Sequence, residues 1–143
     1  MDPIPPTPHP PQIYRLRTPN SPTSPKVCRD TIALLLQATG HRELADIARL
    51  LVSEVVTNVG AHTASLVVRM EAVVRHDRVR VSVYDETADA TPRLIGPDTQ
   101  AESGRGLVLL SGLAHDWGVA RSDGFLAAGK RVWFELRDDP GGG

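Results

Sequence analysis

Leu51-Val52-Ser53-Glu54-Val55-Val56-Thr57-Asn58, with His62 four residues further on, is the stretch on which the fold turns. Its apolar residues continue a stripe that begins upstream. Leu44, Ile47, Ala48, Leu51, Val55 and Val59 recur at three- and four-residue spacing, which predicts a helix from about Arg42 to Ala61 with one buried face. Opposite that stripe, the same spacing gathers Glu54, Thr57, Asn58 and His62 on a second face. Asn is mildly unfavourable in a helix interior because its amide competes for backbone hydrogen bonds, so Asn58 calls for a reason. Glu and Asn one turn apart can together address a hydrated magnesium ion and a reacting hydroxyl. The amide oxygen ligates, and the carboxylate takes a proton. Taken alone, the same residues also read as a solvated helix face.

Working outward, Ser24 offers an N-cap, with Pro25 at the first helical position. Val27, Thr31, Leu34, Leu35 and Ala38 then predict a helical face, and Gly40 a C-cap. Before it, Gln12 to Arg17 reads as a short strand at a sheet edge. After the deciding helix come three strands of alternating pattern. Their apolar sets are Leu66, Val68 and Met70; Val79, Val81 and Val83; and Val132, Phe134 and Leu136. Strict alternation predicts one buried and one wet or partly covered face. His76 and Asp77 sit where a tight hairpin joins the first two strands. A long Pro-, Thr- and Asp-rich loop runs from Asp85 to Gly104, a helix from about Gly106 to Ala114, and a further strand pair starts at Asp116 to Arg121. The fold class is α/β of the α+β kind: a two-layer sandwich, helices on one face of a mixed, largely antiparallel sheet.

The chain has 143 residues, enough for one domain and one core. Residues 1–11, rich in proline, read as a disordered tail, 12–138 as the domain, and 139–143 as a flexible C-terminal exit. A formal net charge of −1 argues against a broad footprint for nucleic acid or an anionic membrane. The single cysteine, Cys28, excludes an intrachain disulfide and reads as a half-buried small hydrophobe. No apolar run reaches the ~20 residues of a membrane span, and no signal-peptide stretch stands at the N-terminus, so the expected location is cytoplasmic.

Two more features can carry chemistry. In Ser103-Gly104-Arg105-Gly106-Leu107, glycines stand just before an apolar helix, where backbone N–H groups and the helix N-terminus suit a phosphate, and Arg105 can add a bidentate charge. A tight turn explains these glycines equally well. Asp85 closes a valine strand, where a carboxylate can accept from an exocyclic amine such as that of adenine, or simply serve a turn.

Order and spacing unite these signals. The segment Leu51 to Asn58 with His62 closely resembles the N box of GHKL ATP-binding proteins, and Asp85 falls where their first glycine box begins. Glu102 to Leu107, followed by Ala114-His115-Asp116-Trp117-Gly118-Val119, resembles the second glycine box and the segment after it. Gly129-Lys130-Arg131-Val132-Trp133-Phe134-Glu135-Leu136 is similar to the last strand of the actinobacterial anti-sigma-factor serine kinase-like members. The similarity spans roughly Ile13 to Arg137.

The resemblance implies a Bergerat-type HATPase domain binding ATP and Mg2+. Asn58 would be the metal ligand and Glu54 the catalytic general base. Asp85 would read the adenine amine, and Gly104, Arg105, Gly106 and Leu107 would form the phosphate-binding segment. The chain departs from the family pattern in several places. Glu86 and Thr87 follow Asp85 in place of an Asp-x-Gly-x-Gly, and Val59 replaces a usual Ala beside the pocket. Arg131 stands where Thr is common near the adenine waters, and Glu102 where some kinase members carry Arg.

By the same resemblance, the expected function is an ATP-dependent serine/threonine protein kinase of the anti-sigma type. Its expected partners are a STAS-domain anti-anti-sigma protein and a sigma factor, without direct nucleic-acid or membrane contact. A homodimer through the exposed sheet face or edge is also consistent with the family. The alternative is a non-catalytic module whose affinity for a protein partner responds to ATP, or no longer depends on it.

Overall fold

The computed structural model describes residues 10–61, 65–85, 108–124 and 127–138. The chain enters through β1 (Gln12–Pro19) and α1 (Ser24–Ala38), then passes a 3-10 turn (Arg42–Leu44) into α2 (Ala45–Ala61). β2 (Val67–Val74) and β3 (Arg78–Asp85) follow, and β4 (Asp116–Gly124) and β5 (Ala127–Arg137) close the fold. A short helical segment spans residues 108–113. The sheet order is β1-β2-β3-β5-β4, and all four pairings are antiparallel. The sheet, expected to be largely antiparallel, is antiparallel throughout its described strands, with β1 at an edge as its sequence suggests. The β2–β3 hairpin turns at His76 and Asp77, closed by the Arg75 N–H donating to the Arg78 carbonyl at 2.9 Å.

Alternation along each strand builds the core. Val68, Met70, Ala72 and Val74 on β2, Val79, Val81 and Val83 on β3, and Val132, Phe134 and Leu136 on β5 all face the helices and are buried. α2 meets them with Ala48, Leu51, Val52, Val55, Val56 and Val59. Each fully buried Val, Leu or Phe side chain contributes about 1.5–3 kcal/mol, so this layer is the main stabilising contact.

α1 departs from its expected face. The structure buries Ser24, Cys28, Ile32, Ala33 and Leu36, whereas Val27 is 45% and Leu34 68% exposed. Two overlapping apolar stripes exist on this helix, and packing on α2 selects the one through Cys28, Ile32 and Leu36, spaced at four residues. Cys28 is fully rather than half buried. Ser24 is the first helical residue rather than the cap. The N-cap is Thr23, which makes no side-chain capping bond. The buried Ser24 hydroxyl instead donates to the Pro19 carbonyl and accepts from the Ser21 N–H at 3.1 Å, which fastens the end of β1 to α1. At the other end, Gly40 adopts φ +86°, and the His41 N–H reaches back to the Leu36 carbonyl at 2.7 Å, as expected for a glycine terminator.

The sheet face away from the helices is polar and rich in arginine. On it, Arg69 lies 4.3 Å and Arg131 5.7 Å from the Tyr84 ring centre, and Arg80 lies 4.2 Å from that of Trp133. Gly118 sits opposite Trp133 in the β4–β5 register, and a Cβ there would come within 2.6 Å of the indole Nε1. The missing side chain is what lets the indole lie against β4.

Candidate functional site

The apolar stripe of α2 anchors the helix on the sheet and thereby sets the height of its flanking residues. Glu54 and Asn58 are both half-buried on that flank, one turn apart. The Asn58 Oδ1 atom is fully buried and has no hydrogen-bond partner among the described residues. An amide oxygen left in this state costs about 1–3 kcal/mol, so its retention points to a group that it meets when the site is filled. Thr57, by contrast, is exposed, and its hydroxyl donates to the Ser53 carbonyl at 2.7 Å. It stands about 100° round the helix from Asn58 and lines a cleft of ≈420 Å³ toward the start of α1, shared with Asn20 and Gly60. Thus the structure keeps Glu54 and Asn58 together and sends Thr57 elsewhere. His62 lies outside the described residues.

Asp85 has the same parity as Val81 and Val83, so it faces the helix side of the sheet. Its Oδ1 accepts a hydrogen bond from the Lys130 N–H at 2.9 Å, which holds the carboxylate between β3 and β5. The pairing register shows how it comes near α2. Asp85 pairs with Val68, at the start of β2. That start is tied to the end of α2 by Asn20, whose Nδ2 donates to the Gly60 carbonyl at 3.1 Å and the Ser65 carbonyl at 3.0 Å. The Asn20 N–H also donates to the Leu66 carbonyl at 2.8 Å. The C-terminal turns of α2, with Asn58, and the end of β3, with Asp85, therefore occupy the same end of the same face.

Gly104, Arg105, Gly106 and Leu107 lie outside the described residues, as do residues 1–9, 86–103 and 139–143, on which the expected loop and most of the expected tails fall. The helical segment that follows is anchored by Leu110, which is buried in the core. Sequence reasoning missed the Asn20 clamp and the reason for Gly60, where a Cβ would meet Asn20 Oδ1 at 2.6 Å. The only local signal was a glycine in the last turn of an otherwise apolar helix.

Among the described residues, no group of three or more His, Cys, Asp or Glu side chains gathers to hold a metal. One buried amide oxygen fits magnesium better than a tighter-bound ion, because magnesium keeps several waters and takes its other ligands from phosphates.

The model of the histidine kinase-like ATPase domain matches residues 18–135. The chain belongs to that family. Among curated proteins, no relative matches. The matched span of the histidine kinase-like ATPase domain runs from the end of β1 into β5 and contains Glu54, Asn58 and Asp85. Membership supplies ATP as the ligand class. Of the departures from the family pattern, Val59 is buried in the core, and Arg131 lies on the opposite face of the ATPase domain, donating to the Ser82 hydroxyl at 3.3 Å. Among the described residues, no helix is long and apolar enough to cross a membrane.

Proposed function

We propose that this ATPase domain is an anti-sigma-type regulator that binds ATP with Mg2+ and phosphorylates a Ser or Thr of a STAS-type anti-anti-sigma partner, in competition with a sigma factor. The observation that carries the nucleotide reading is the buried, unpaired Asn58 Oδ1, one turn from Glu54 and at the same end of the sheet as Asp85. Mg2+, when bound, supplies charge neutralisation on the phosphates, and Asn58 is the residue that would hold it. The free oxygen of Asp85 would accept from the adenine amine while its Oδ1 stays on Lys130. Gly104, Arg105, Gly106 and Leu107 would receive the phosphates.

In the transfer, the Ser or Thr oxygen bonds to the γ-phosphorus and the bond from it to the β–γ bridging oxygen breaks, releasing ADP. The hydroxyl proton passes to the Glu54 carboxylate. Half-burial of Glu54 suits this role, since it keeps the carboxylate near the site yet reachable by a protein substrate.

A second reading, a non-catalytic module that responds to ATP, draws support from Thr87, which stands where the first glycine of an Asp-x-Gly-x-Gly would follow Asp85. Incubation with γ-labelled ATP and a STAS-domain protein decides between them, with Glu54→Ala as the control. Transfer to the partner that the substitution abolishes supports the kinase. Magnesium-dependent ATP binding without transfer supports the module. No ATP binding at all refutes both.

A further inference from the structure

We propose that the sheet face opposite the ATP site docks an acidic polypeptide segment of a protein partner. The proposal does not rest on the nucleotide reading, because Asn58 and Asp85 face the other side.

The first observation is charge placement. Eight of the chain's sixteen Lys and Arg residues lie on this face or on the hairpin at its rim, against four of its seventeen acidic residues. All eight are arginines. The face is thus strongly positive on a chain whose net charge is −1.

The second is a cleft of ≈470 Å³ at the hairpin end of this face, lined by Arg75, Arg78, Arg80, Arg131 and Arg137. Five arginines face two carboxylates there. Glu135, nearly buried, binds Arg80 at 3.3 Å and Arg137 at 3.1 Å, and Asp116 accepts from the Trp117 N–H at 2.9 Å. Arg75 and Arg131 have no carboxylate partner among the described residues, and Arg78 approaches only Asp77, at 3.9 Å. The cleft therefore has positive charge left over for a ligand.

The third is preorganisation. Arg69 and Arg80 lie close over Tyr84 and Trp133, with Arg131 farther from the Tyr84 ring centre, at 5.7 Å. A guanidinium laid on a ring keeps its in-plane N–H groups for bidentate contact with a carboxylate. The same stacking argues against single-stranded nucleic acid, which needs open aromatic faces for its bases. A second copy docked face to face would set two faces, each with eight arginines and four acidic residues, against each other, a like-charge pairing, so the occupant is a different, acidic chain.

The test is fluorescence anisotropy of fluorescein-labelled deca-glutamate titrated with the full chain, at low and at physiological salt. Saturable binding should weaken at least about tenfold, some 1.4 kcal/mol, in Arg78→Ala/Arg131→Ala, neither of which contacts Glu135. Arg42→Ala/Arg49→Ala removes the same charge from the helical side and should leave binding unchanged. In the wild type, the peptide should shift the Trp133 indole N–H resonance, a readout that stands even if the double variant fails to fold. No saturable binding, an equal loss in the helix-side variant, or an unmoved Trp133 indole overturns the proposal. So does tighter, Arg78- and Arg131-dependent binding of oligothymidylate or phosphatidylserine vesicles, which would assign the face to nucleic acid or lipid.

Discussion

Replacing Asn58 by Ala should make the unliganded protein more stable and the ATP-loaded protein no more stable than that. The Asn58 Oδ1 atom is buried without a partner, and deleting it recovers about 1–3 kcal/mol of desolvation. Ala also exceeds Asn in helix propensity by up to about 0.7 kcal/mol. Asn58 is only half-buried, so little cavity is left to offset the gain. The net expectation is about 1–2 kcal/mol, or a rise in Tm of about 3–6 °C for a domain of this size. With Mg2+ and ATP at about a hundred times Kd, the wild type should gain about 2.7 kcal/mol by linkage, and the variant close to none. The stability order of the two proteins should therefore invert between the free and loaded states. Urea unfolding followed by circular dichroism, with and without nucleotide, measures both limbs. An unliganded variant less stable than the wild type, or one with an undiminished response to ATP, would refute the reasoning.

Asp85→Asn keeps an acceptor for the Lys130 N–H but loses the charge, so it should leave the melting temperature nearly unchanged while lowering ATP affinity at least about tenfold by calorimetric titration. Burial pushes the Cys28 thiol up to about 11 from its ordinary 9.0, which favours the neutral form in the folded state. That contribution is complete below the ordinary value and is lost as pH rises from about 9 to about 11. Denaturation across this window should therefore show the wild type losing more stability than Cys28→Ala, and equal slopes would count against it. Gly118→Val should cost about 1–3 kcal/mol by overpacking, since its Cβ would stand 2.6 Å from Trp133 Nε1, and should alter the tryptophan emission. A variant with wild-type stability and spectrum would mean that the indole is not held where we place it.

Some of this molecule can be read residue by residue. The alternation at Val79, Val81 and Val83 and at Val132, Phe134 and Leu136 announces strands, because a period of two leaves no other way to bury those side chains together. The stripe through Leu51, Val55 and Val59 announces α2 by the same logic at a period of 3.6. It also places Glu54 and Asn58 one turn apart, whatever the rest of the chain does. α1 resisted such reading because it carries two apolar stripes, and only its contact with α2 ranks them. Ser24 looked like a cap because it stands just before Pro25, whereas the bond that it makes to Pro19 joins two elements, and no local rule anticipates it.

What the amino-acid order alone determined here is local: which segments are strands and helices, and which side chains share a helix face. Tertiary structure decided the rest. It brought Asp85 to the end of the sheet where α2 finishes, left the Asn58 oxygen without a donor among the described residues, and turned Arg131 to the opposite, arginine-rich face. Each of these depends on strand register and on packing between residues distant in sequence. Backbone periodicity says what a side chain's neighbours on its own element are, but not what stands across from it.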